Sequence, residues 1–596
     1  MPGFTLSLTA PSSDAPSLEH DCLPASGSTV TVRSFSGPTH YLRTALFARY
    51  SRHCVAAENE EGLFVLDGAL LNMTDLQTRY GGAELLVLAQ NMRRRLGRAF
   101  FKEFRGEFAG AYFDKASASW VVFTNHSGSK PLFYHAAGPV LVCASSLPCL
   151  ARVLRHYQVP CRLDQVGAYF LLTHGYMLGD YTLIQEVKKL TAGDYLSYEN
   201  GRSTVGSYYK ANNEPRSQLT REAALQEIDD CLLMSARRGF EFDRTYGHQS
   251  ICAISAGLDC RMTTFAAARL GYENVLQLNY AQSGSRDERY PREMSAALGR
   301  EMLFFPLDRG TYLTRTIDGM FEANGGLIIY AGASHTFSIC RHVRFDRLGL
   351  YHSGILGGAL FGAYLSGPKH TAPRPGMGAY SMKLLARVHQ EEARIAERFA
   401  NAEMYRLYNR GFNGIHNGTF VGNLFTYMHS PALMPECLDT MLTVPPGLRS
   451  DGSLRVDYLC RFHPEGAAQR WGETGLSVQA SNRFTWPLKF IKRVQAKLFP
   501  ASTMNPMDYW YATNSRLPRY CENFFKTHIE CLAAYPELQQ DARMLFTTGR
   551  FAEKALVLTL LRAVGRYFGE SPGKEPEEEA NLGGVNAAWA GDQAPG

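Results

Sequence analysis

Short apolar runs closed by turn residues dominate the first 210 residues: 62–66, 108–113, 120–123, 131–134 and 140–143, each set off by Gly, Asn, Asp or Pro. Runs of this length between such breakers predict strands, and the helical pattern from Ala83 to Leu96 predicts a helix among them. Together they predict an α+β layered domain over residues 1–210. The polar stretch from Ala211 to Gln218 reads as a linker, and Leu219 to Arg238 as a long helix. The texture then changes to strand 250–254, a Gly-containing turn, helix 262–270, strand 275–280, helix 287–298 and strand 302–307. That alternation predicts a parallel sheet flanked by helices in a second domain, 218–568, whose later part is mainly helical. Residues 569–596, with Lys574-Glu575-Pro576-Glu577-Glu578-Glu579 and a Gly/Ala-rich end, are expected to be a disordered tail.

Composition narrows the function classes. Forty-five per cent hydrophobic and 20% charged residues fit globular cores, and a net charge of +6 over 596 residues, without long basic runs, gives no footprint for nucleic acid. Thirteen cysteines with no C-x-x-C pair predict reduced thiols and no zinc site. The start Met1-Pro2-Gly3-Phe4 lacks a basic and apolar leader, so the expected compartment is cytoplasmic. Leu348 to Pro368 carries no charge and approaches spanning length, yet it is Gly-rich and broken by His352, Ser353 and Ser366, so no membrane span is predicted. His335, His342 and His352 lack a ligand spacing and are read as core or surface histidines.

The segment that carries chemistry is Ile251 to Ile254 followed by Ser255-Ala256-Gly257-Leu258-Asp259-Cys260, an apolar strand entering a small-residue loop and then a helix. Small residues let backbone amides approach an anion, and the helix start adds a positive dipole end. This hexapeptide resembles the pyrophosphate loop of ATP pyrophosphatases, usually Ser-Gly-Gly-x-Asp-Ser, with Ala256 and Cys260 as the departures. Its spacing to Asp287-Glu288 resembles that of asparagine synthetases. So do three N-terminal blocks: Asp67 to Asn72, Arg105 to Asp114, and Gly128 to Tyr134.

The resemblance covers about residues 1–490 and implies two domains. The first would be an Ntn-hydrolase-like, layered αββα glutaminase domain. The second would be a parallel-sheet, adenine-nucleotide α-hydrolase-like ATP pyrophosphatase domain with a mainly helical extension. It implies ATP and Mg2+ as cofactors, small-molecule carboxylate and amine substrates, and a homodimer. Ser255, Ala256, Gly257, Asp259, Cys260, Ser353 and Gly354 would bind the nucleotide, Asp259 would also ligate magnesium, and Asp259, Asp287 and Glu288 would be catalytic.

Departures qualify the expected activity. Pro2 stands where the family has its nucleophilic Cys, so no glutaminase activity is expected. Asn72, matching a family Asn that helps hold the oxyanion, is expected to keep a structural hydrogen bond. Thr124-Asn125 replaces a usual Arg-Asp, and Gly358-Ala359 replaces Asp-Glu, removing a magnesium ligand and a neighbouring acid. Lys489 and Lys492 are candidates by region for the family's late catalytic lysine. Apolar Ile355, Leu356 and Ala359 predict a substrate other than free aspartate. Two further readings are a catalytically silent binding or scaffold protein, motivated by Pro2 and Gly358-Ala359, and a hydrolase nucleophile elbow at Ser255, which lacks its first Gly.

Overall fold

The computed structural model describes residues 2–8, 28–137, 140–481 and 503–569. Among the described residues twelve strands occupy the N-terminal part: β1 Gly3–Leu8, β2 Val30–Gly37, β3 His40–Phe47, β4 Val55–Glu58, β5 Gly62–Leu70, β6 Gly106–Asp114, β7 Ser119–Thr124, β8 Phe133–Ala137, β9 Val140–Ala144, β10 Lys188–Lys189, β11 Asp194–Glu199 and β12 Arg202–Ser207. They pair antiparallel into two six-stranded sheets, in the orders β10-β8-β9-β1-β3-β2 and β12-β11-β7-β6-β5-β4.

Strand periodicity sorts the side chains into layers. Leu63, Val65, Ala109 and Ala111 meet Phe4, Leu6, Leu141 and Cys143 of the facing sheet. Their sequence neighbours Phe64, Leu66, Phe108 and Tyr112 face the other way, onto α1 (Met73–Tyr80) and α2 (Leu85–Leu96). Val142 and Ala144 of the first sheet pack on α3 (Leu147–His156) and α4 (Gln165–His174). The result is a helix, sheet, sheet, helix sandwich, and burial on both faces explains why these strands read as unbroken apolar runs.

The segment 211–220 has no helix or strand and is bonded to later residues: the Ala211 N–H donates to Tyr408 Oη, and the Arg216 N–H to the Thr443 carbonyl. The long helix α5 (Arg221–Thr245) follows. Next come β13 (Gln249–Ala253), α6 (Asp259–Arg269), β14 (Val275–Ala281), α7 (Arg286–Ala297), β15 (Met302–Pro306), β16 (Leu348–His352) and β17 (Met428–His429). All five strands are parallel, in the order β15-β14-β13-β16-β17. The chain steps outward from β13 to β15, then returns to the other side of β13. Phe240 of α5 and Ala266 and Ala267 of α6 cover one face, while helices between residues 317 and 340 cover the other.

The charge-free stretch from Leu348 begins as β16, whose five residues are all buried, so its apolar character serves the sheet centre. Among the described residues no helix is long and apolar enough to cross a membrane. The last helix, Phe551–Phe568, touches both halves: the Arg155 guanidinium donates to the carbonyls of Arg566 and Tyr567, and the Tyr330 N–H donates to Thr559 Oγ1. The predicted tail beyond Gly569 and Lys489 and Lys492 lie outside the described residues.

Candidate functional site

Strand order locates the site before any motif does. Connections leave β13 and β16 in opposite directions, so a crevice opens between their carboxyl ends, the place where open parallel sheets receive ligands. The two loops facing it are 254–258 and 353–358. Gly354 presses on the first: a Cβ there would lie 2.2 Å from the Asp259 carbonyl carbon and 2.4 Å from the Cys260 nitrogen. Thr263 Oγ1 donates to the Ser353 carbonyl across the same contact, at 3.1 Å. Asp259, Met262, Gly354, Gly357, Ser430 and Tyr458 are among the residues lining the cleft. Thus the structure brings Ser255 to Cys260 together with Ser353 and Gly354.

The loop itself is built to present backbone. No side chain caps the start of α6, so its first amides have no such partner. A Cβ on Gly257 would meet only Ser255 Oγ, at 3.3 Å, so packing within the chain does not demand glycine there. Ala256, by contrast, is buried against Gly472, whose N–H donates to the Ala256 carbonyl at 2.9 Å. Arg261, wholly buried, ties the loop down through the carbonyls of Ala256, Gly466, Gln469 and Arg470. Burial lowers its guanidinium to about 10. Burial raises the thiol of the partly exposed Cys260 above the usual range.

The two predicted acids part company. Asp287 accepts the Ala256 N–H at 3.3 Å, so a carboxylate already sits on one loop amide; burial raises its pKa. Glu288 is engaged locally, accepting the Gly284 N–H at 2.7 Å and pairing with Arg292 at 3.0 Å.

Asp259 Oδ1 accepts from Arg455 Nη1 at 2.9 Å. A Cβ on Gly358 would stand 2.8 Å from that same nitrogen and 2.9 Å from Asp259 Oδ2. Position 358 therefore does face the Asp259 carboxylate, but a guanidinium fills the space between. These residues do not fit magnesium, which wants carboxylate oxygens around it rather than a fixed cation. Among the described residues no group of three or more His, Cys, Asp or Glu could hold a metal.

In the N-terminal sandwich the side-chain amide of Asn72 is engaged at both ends, donating to the Glu103 carbonyl and accepting the Arg105 N–H, both at 2.9 Å. Asn125 likewise braces the turn into Ser129. Facing the start of β1 is Asp67, whose Oδ2 lies 3.7 Å from a Cβ position on Gly3. It pairs with Lys130 at 2.7 Å, both side chains essentially without exposure, and accepts the Tyr427 hydroxyl at 2.7 Å. Tyr427 also contacts Cys54 Sγ, whose thiol burial pushes up to about 12.

Residues 51–209 match the family model described as a glutamine amidotransferase domain. The N-terminal sandwich is glutamine amidotransferase-like. No curated protein matches the chain. Among solved structures, one titled glutamine phosphoribosylpyrophosphate amidotransferase from B. subtilis, complexed with ADP and GMP, is 10% identical with a TM-score of 0.24. That likeness covers 51% of this chain and 65% of that one, just under two thirds of its length. Another, titled as the allosteric regulatory enzyme of purine biosynthesis, is 9% identical with a TM-score of 0.23, covering 51% and 74%.

A buried polar band joins the amidotransferase-like domain to the parallel sheet. Glu107 of β6 accepts from the Ser129 hydroxyl and lies 3.3 Å from His429 Nδ1. His429 pairs in register with His352, whose Nε2 is 2.8 Å from Asp243 Oδ2. Nearby, His416 Nδ1 donates to the Ser127 carbonyl, and Lys189 donates to Asn413 and Asn417 at 2.9 and 2.8 Å. Burial lowers Lys189 to about 7 and His416 to about 4. Glu107 and Ser129 fall in two of the N-terminal blocks and His352 reads as a core or surface histidine, but no motif marks Asp243, Lys189, His416 or His429, because each lies far from its partners along the chain.

Proposed function

We propose that the protein is an amidotransferase-related, asparagine synthetase-like ligase. Its C-terminal domain would bind ATP in the crevice between β13 and β16, activate a carboxylate, and pass the acyl group to ammonia or an amine. The observation supporting this is the switch-point crevice, where the start of a helix without a side-chain cap, with Asp259 and Met262 lining the cleft, packs under Ser353-Gly354. In the proposed reaction a carboxylate oxygen attacks the α-phosphorus and pyrophosphate leaves. The amine nitrogen then attacks the acyl carbon, with AMP and a proton released. Backbone amides of 257–260 would hold the leaving phosphates, next to the Ala256 N–H that already donates to a carboxyl oxygen of Asp287.

The N-terminal domain in this reading does not hydrolyse glutamine. Pro2 supplies no thiol, and the Asp67–Lys130 pair with Tyr427 fills the space facing β1. Pyrophosphate release from ATP with pooled carboxylates and amines tests the ligase reading. A Gly354→Ala control, whose Cβ must force the two loops apart, should abolish release; equal release from that variant would place the chemistry elsewhere. The Asp259–Arg455 pair favours a second reading, a binding or scaffold protein, which ATP-dependent amide formation would exclude.

A further inference from the structure

A polyphosphate entering the crevice needs its charge balanced, and cations and arginine forks are the two usual means. The helix Ser453–Phe462 forms one wall, contributing Tyr458 to the cleft lining and Arg455 to the Asp259 carboxylate. Asp259 lines the cleft, and both side chains of the pair stay partly exposed, Arg455 22% and Asp259 36%. The guanidinium occupies the volume a side chain at 358 would enter, and Gly358 itself brings no second carboxylate to Asp259. We infer that this crevice takes its phosphate-bearing nucleotide without a divalent cation, the Arg455 guanidinium standing where a metal would balance the charge.

The chemistry of the fork supports this division of labour. A guanidinium carries five donors and stays charged at every working pH, so one bond to Asp259 leaves others for phosphate oxygens. Asp259 is then a positioning residue that aims Arg455, rather than a metal ligand. The inference rests on the nucleotide reading of the site but predicts a different dependence from a metal-bridged one. Removing a metal-bridging carboxylate would abolish binding, whereas an amide at 259 still accepts a hydrogen bond from Arg455 and lowers the negative charge beside the ligand.

The test is titration calorimetry of the full chain with ADP and with inorganic pyrophosphate, in excess magnesium and in excess EDTA. Affinity for either probe should agree between the two buffers within about threefold. Arg455→Ala should weaken it by roughly tenfold or more in both, as expected for a lost charge-assisted hydrogen bond. Arg455→Lys, which keeps the charge, should recover part of the loss and serves as the folding control. Asp259→Asn should bind as well as the native chain or better. Gly358→Asp combined with Arg455→Ala, which rebuilds a two-carboxylate site, should bind only with magnesium. Binding seen solely in magnesium, or lost in Asp259→Asn but not in Arg455→Ala, overturns the inference and leaves the nucleotide reading standing. No binding of either probe in either buffer removes the nucleotide reading itself.

Discussion

Replacing Asp67 by asparagine tests how the two halves are held together. Asp67 and Lys130 are 0% and 1% exposed and face each other at 2.7 Å as a buried ion pair. The asparagine side chain could still accept the Tyr427 hydroxyl, so the change isolates charge from hydrogen bonding. It leaves an ammonium stranded, with the Tyr427 ring at 4.6 Å as partial compensation worth about 1–2 kcal/mol. Breaking a buried pair from one side costs about 3–5 kcal/mol. At roughly 2–4 °C per kcal/mol for a unit near 200 residues, the first thermal transition should fall by about 6–20 °C. Asp67→Ala should fall further, because Tyr427 loses its acceptor as well. Asp67→Leu with Lys130→Met removes both charges and should return to within about 2 kcal/mol of the native chain. Circular dichroism melts of the full chain read all three variants. A shift under about 2 °C for Asp67→Asn, or a double variant as weak as the single ones, would refute the reasoning.

Three more outcomes follow from other groups of the fold. His335 and His416 are each held near 4 by burial, while an unfolded chain takes up their protons near 6.5. Stability should therefore drop as pH falls from 6.5 to 4, by up to about 3 kcal/mol per histidine, and urea midpoints of His416→Gln should show a shallower drop. Lys189, lowered to about 7 from 10.5, binds one proton fewer than the unfolded chain between those values, so it adds stability as pH rises through that window. Lys189→Met should lose that rise. An electrophilic glutamine analogue should form no adduct, since Pro2 offers no thiol and Cys54 is held near 12; mass spectrometry showing an adduct on Cys54 would contradict the account of this pocket.

The sequence pattern reached the elements whose ends are punctuated. Strands β5 to β9 and the alternation from β13 to β15 show as runs between breakers, because both faces are buried and the boundaries are Gly, Asn or Pro. β2 escaped notice because its residues are mostly exposed, and β10 is two residues long. β16 merged into a charge-free stretch, since a strand buried on both faces has no period to separate it from a helix. In the site, the loop 255–260 was legible from its small residues. Arg455 was not: it lies 196 residues from Asp259 on an ordinary helix, and only folding sets it opposite Gly358. Asp67 and Lys130 lay in two of the N-terminal blocks, yet their pairing with each other and with Tyr427, 360 residues from Asp67, was hidden for the same reason.

Photoaffinity labelling with an azido-adenine nucleotide, followed by mapping of the labelled peptides, tests the central claim most directly. The label should fall on residues 254–262, 353–364 or 430–462, be displaced by ATP, and disappear in Gly354→Ala. Labelling outside these segments, or labelling that ATP does not displace, would contradict a nucleotide site between β13 and β16.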